Sequence, residues 1–101
     1  MIQRSRCFNI LLKMSFFKNE LYKVSFDDNK MIFKCLEQSN KDFALPLDDI
    51  RNISLYGNPA RELEIRTSSQ VIIGNFKSTK TSSHAVSILK EIFQEKLIFI
   101  N

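Results

Sequence analysis

At 101 residues the chain is long enough for one small domain with its own core and too short for two. An apolar fraction of 44% with 26% charged residues is that of an ordinary globular chain and excludes disordered, collagenous and disulfide-stapled classes. The net charge of +4 originates in the first eighteen residues, where Arg4, Arg6, Lys13 and Lys18 are the only charges. The rest carries eleven basic and eleven acidic residues, so the sequence shows no preformed cationic stripe for nucleic acid.

Residues 1–18 read as a basic N-terminal segment, either an extra strand or a disordered arm. Ile10, Leu11 and Leu12 follow arginines as in a secretory leader. The run is short, is bounded by Asn9 and Lys13, and lacks a small-residue cleavage site. No apolar run approaches the ~20 residues of a membrane span, and the expected location is cytoplasmic. Met14 opens a second plausible start, MSFFKNELYKVSF. Translation from it would remove Arg4, Arg6 and Lys13 and take the net charge from +4 to +1. A single domain is expected over residues 19–101.

Residues 21–26 alternate, with Tyr22, Val24 and Phe26 on one face and Lys23 and Ser25 on the other, which predicts a half-buried strand. Asp27, Asp28, Asn29 and Lys30 make a polar turn into a second strand, in which Ile32 and Leu36 share a face with Lys34. Phe43, Leu45 and Leu47 mark a third strand. Pro46 cannot donate to a ladder and places that strand at an edge or an end. Ile50 is out of phase with Ile53 and Leu55, which predicts a bulge. Tyr56-Gly57-Asn58-Pro59 is the strongest turn signal. Beyond it Leu63 and Ile65 point inward, with Glu62, Glu64 and Arg66 outward. A last strand carries Val71, Ile72, Ile73 and Phe76.

Residues 77–82 then read as a hydroxyl-rich loop, with Ser82 or Ser83 capping the helix that follows. Ala85, Ile88, Leu89, Ile92 and Phe93 recur at helical spacing, opposite Lys90, Glu91 and Gln94. Burying four large residues of that stripe contributes roughly 1.5–3 kcal/mol each before ordering entropy is set against it. Ile92→Asp is therefore expected to loosen or unfold the domain. The predicted class is α+β: a bent antiparallel sheet, or partly open barrel, of about six strands capped by one C-terminal helix.

Short antiparallel strands, the element ALPLDDIRNISL, a two-strand meander and a terminal amphipathic helix together resemble the small bacterial pleckstrin-homology-like domains. The resemblance covers roughly residues 21–95. It implies a binding scaffold of a bacterial or phage-type protein rather than an enzyme. Phosphoinositide-binding members of that family use basic residues around the first hairpin loop. The loop matched to it here, Asp27 to Lys30, is mainly acidic, which argues against a phosphoinositide.

No catalytic, cofactor or metal site is expected. Cys7 and Cys35 lack CxxC spacing and read as reduced thiols. His84, the only histidine, has no partner in the nearby sequence. Asp48 and Asp49 are adjacent, so on a strand they would diverge to opposite faces. Two surfaces remain. Lys77, Lys80, Ser82 and Ser83 could hold an anion at the helix N-terminus. Leu97, Ile98, Phe99 and Ile100 are four consecutive apolar residues that either pack back on the sheet or form a docking or self-association patch. The leading expectation is a non-enzymatic module that binds a protein partner or itself. The alternative is anion or nucleic-acid binding through residues 77–84 and the basic N-terminus.

Overall fold

The computed structural model describes residues 6–15 and 18–101, and the expectations placed on Arg4 and the rest of residues 1–5 lie outside the described residues. Eight strands and one helix follow in the order β1 (Cys7–Ser15), β2 (Lys18–Asp27), β3 (Lys30–Cys35), β4 (Phe43–Pro46), β5 (Ile50–Tyr56), β6 (Glu62–Thr67), β7 (Val71–Asn75), α1 (Thr79–Phe93) and β8 (Leu97–Ile100). They form one sheet ordered β4-β3-β2-β1-β7-β6-β5-β8. Every neighbouring pair is antiparallel except β5 and β8, which run parallel with Ile53 beside Leu97 and Tyr56 beside Ile100.

The α+β class agrees with expectation, but the sheet is mixed and has eight strands, not about six antiparallel ones. Two elements account for the difference. β1 pairs along its length with β2 and also with β7, so the sheet begins at Cys7, within the segment read as either an extra strand or a disordered arm. Its Phe8, Ile10 and Leu12 are buried on the core face, which a disordered arm would leave in water. The helix is also not the last element, because β8 follows it. With β1 in place, the acidic turn from Asp27 to Lys30 is the second hairpin of the sheet. It does not occupy the first-hairpin position to which the family comparison matched it.

The inner face is one apolar cluster. It joins residues of strands that are not neighbours, such as Met31 and Phe33 of β3 with Ile53 and Leu55 of β5, so the sheet curls around it. Ala85, Ile88, Leu89 and Phe93 cover that core from the helix. The Phe93 ring meets Phe26 of β2 edge-on at 6.2 Å. Ile92 is only half-buried, so Leu89, with no exposed surface, is the residue on which the lid depends more. Close approach of β7 to β1 requires Gly74: a Cβ there would lie 2.6 Å from Ile10 Cδ1 and 2.9 Å from its Cγ1. Pro46 ends β4, one of the two sheet edges, as its missing donor dictates. The register shift predicted at Ile50 falls between Ile50 and Asn52.

Candidate interaction surface

β8 forms the other edge of the sheet, and only one of its sides is paired. It is anchored by Leu97, which is buried, and by the Gly57 N–H, which donates to the Ile100 carbonyl at 2.9 Å. Gly57 reaches that position with φ of +99°, a conformation that favours glycine. The next three residues are not buried: Ile98, Phe99 and Ile100 are 42%, 54% and 39% exposed. Alternation puts Ile98 and Ile100 on the outer face, beside Ser54 and Tyr56 of β5 and then Glu64 and Glu62 of β6. Phe99 turns to the helix side, where the Lys90 ammonium sits 5.5 Å from its ring centroid. Leu97 thus packs back on the sheet, while Ile98, Phe99 and Ile100 pair with β5 and keep exposed side chains.

The four residues expected to hold an anion do not converge. Ser82 is buried, and its hydroxyl donates to the Ala60 carbonyl at 2.5 Å. Ser82 and Ser83 both border a groove of about 460 Å³ with Phe99, Lys90, Val86 and the Gly57–Asn58–Pro59 turn. Lys77 lies on a different concavity with Arg61 and Asn75, and Lys80 on a third with Lys23 and His84. The helix begins at Thr79, four residues before the later of the predicted caps. Ser78 is the N-cap, and its hydroxyl oxygen accepts the Thr81 N–H at 3.1 Å.

One polar cluster escaped sequence reasoning. The Glu20 side chain is buried on the core face of β2. Lys41 Nζ lies 2.5 Å from Oε1, Lys18 Nζ lies 3.7 Å from the same oxygen, and the Cys35 thiol donates to Oε2 at 3.4 Å. Asp42 closes the cluster by accepting the Cys35 N–H at 2.7 Å. The Lys41 hydrogen bond holds the Glu20 carboxyl below its usual range against the opposing effect of burial, with Cys35 assisting. The same bond raises Lys41. Burial, reinforced by Cys35 and Glu20, pushes the Tyr22 phenol up to about 12, and its hydroxyl donates to the Lys41 carbonyl at 3.3 Å. Parity was the available signal, since Glu20 shares the face of Tyr22 and Val24. The cluster closes one end of the core. Its carboxylate is engaged by two lysines and a thiol, which suits a structural latch.

Among the described residues no group of three or more His, Cys, Asp or Glu side chains could hold a metal ion. No described helix is long and apolar enough to cross a membrane. No protein-family model matches the chain, and no curated protein matches it in sequence. A solved structure does: the Inner Membrane Complex sub-compartment protein 3 of Toxoplasma gondii superposes with a TM-score of 0.63 over 89% of this chain and 76% of that one, at 21% identity. At that identity the likeness shows the fold alone, and the sheet with its C-terminal helix is compatible with a pleckstrin-homology-like domain.

Proposed function

We propose that this chain is a non-enzymatic interaction module that binds another protein along the β8 edge. The observation that carries the reading is the contrast between the two sheet edges. β4 ends on Pro46, a residue that blunts strand addition, whereas β8 has no proline and offers three exposed apolar side chains, Ile98, Phe99 and Ile100. A partner strand laid beside β8 would take up its unpaired backbone groups and cover Ile98 and Ile100 together. The finer assignment, to a small bacterial pleckstrin-homology-like module acting in the cytoplasm, is supported by the residues 45–53 motif.

The test is Ile98→Lys combined with Ile100→Lys, which places two charges on the outer face without touching the buried Leu97. The doubly substituted chain should keep its circular dichroism spectrum and cooperative melting, and lose the protein that the unaltered chain retains from extracts of its own host. Equal retention by both chains would refute the β8 assignment.

A further inference from the structure

A second surface, separate from the β8 edge, has a more definite chemistry. Lys23 of β2, Lys80 and His84 of α1, Asn9 of β1, Thr81 and Leu36 line an open groove of about 570 Å³ that Cys7 and Phe8 also border. This lies within the size range of sites that hold small ligands or a few side chains. Among the described residues no acidic one lines it. Lys34 extends the basic surface, because it stands directly opposite Lys23 in the β2–β3 register and so shares its outer face.

Like charges at directly opposed strand positions destabilise a sheet unless something neutralises them. Among the described residues no salt bridge reaches Lys23, Lys34 or Lys80. The carboxylates that form ion pairs are committed elsewhere: Glu20 to Lys41 and Lys18, Glu91 to Arg6, Glu64 to Arg66. The His84 ring is held at the groove by Nε2, 3.1 Å from the Cys7 carbonyl oxygen. A carbonyl only accepts, so Nε2 carries the proton of that bond and Nδ1 is the nitrogen left for a ligand.

From this geometry we infer that the groove binds an acidic segment of a partner protein, with carboxylates over Lys23, Lys34 and Lys80 and an apolar side chain against Leu36. Three features select that ligand class over a phosphate or a nucleic acid. Among the described residues the lining has no arginine to grip a phosphate in a bidentate fork and no glycine to let the backbone wrap one. Its described residues include no exposed aromatic ring on which a base could stack. It does have a half-exposed leucine among the cations, which an acidic, partly apolar peptide would cover and a bare phosphate would not.

The probe is a fluorescein-labelled peptide of alternating glutamate and leucine, followed by anisotropy and by amide chemical shifts of the full chain. Competitors are inorganic phosphate and a single-stranded oligonucleotide of equal charge. The expected result is saturable binding that shifts the amides of Lys23, Lys34, Lys80 and His84. Binding should weaken by about tenfold or more when Lys23→Glu and Lys80→Glu are combined, because rim charges set such encounters. It should be unchanged in the Ile98→Lys, Ile100→Lys chain, which separates this site from the β8 reading. Both lysines are exposed, and Lys23→Glu turns a like-charge pair with Lys34 into an opposite one, so the charge-reversed chain should melt no lower than the unaltered one. The inference is overturned if the peptide does not bind, if charge reversal leaves its affinity unchanged, or if phosphate or the oligonucleotide displaces it at equal charge. Shifts confined to the Glu62 and Glu64 face, which would mean self-association, overturn it as well.

Discussion

Glu20 has the environment that most clearly links single residues to stability. It is a buried carboxylate whose acidity is set by Lys41 first. A carboxyl held below its unfolded value of 4.5 contributes stability that is present above that pH and disappears as pH falls through the lower, folded value. Acid titration of the melting temperature should therefore show a fall beginning below about pH 4.5, and Glu20→Gln should flatten that limb. Lys41→Ala should lower the melting temperature more than Lys18→Ala, because the two ammonium groups lie 2.5 Å and 3.7 Å from the same oxygen and only the nearer one forms the hydrogen bond. Tyr22 works in the opposite direction. Its phenol is raised from 10.0 to about 12, so its contribution is intact below pH 10 and is lost as pH climbs toward 12. Ultraviolet titration should find one phenolate forming only near pH 12, and Tyr22→Phe should abolish that step.

The helix was largely legible from its periodicity, because Ala85, Ile88, Leu89 and Phe93 recur at the spacing that builds one buried face. Leu89→Ala should cost about 2–5 kcal/mol in denaturant unfolding, the range for emptying a fully buried leucine site. The cap was not legible. Residues 78–83 offer five hydroxyls in six positions, and only the fold shows that Ser78 accepts the Thr81 amide while Ser82 serves Ala60. Ser78→Ala should cost about 1 kcal/mol, and Ser83→Ala, on an exposed hydroxyl, almost nothing. Strands β2 to β7 were visible through alternation and turn residues. β1 was not, because Ile10-Leu11-Leu12 is an unbroken apolar run whose period is ambiguous until Leu12 is set beside Gly74. β8 was illegible for a related reason. A parallel partner reached by way of a whole helix leaves no local trace, and Leu97-Ile98-Phe99-Ile100 has the same composition whether buried or edge-exposed.

At the scale of the whole molecule, a curled sheet closed by one helix has two unpaired edges, and the sequence treats them differently. Pro46 protects one; three exposed apolar side chains occupy the other. The candidate surfaces were only partly legible, since Lys23, Lys34, Lys80 and His84 are dispersed along the chain and meet through the β2–β3 register and the packing of α1 against β1. Glu20, close to Lys23 in sequence, points toward the core instead. The β8 edge is tested most directly by placing a photo-reactive phenylalanine analogue at Phe99, and separately at the exposed Asp48, and irradiating the cells that naturally make the protein. The account predicts a discrete cross-linked protein species from position 99 and none from position 48. No adduct at 99, or the same adduct from both positions, would contradict it.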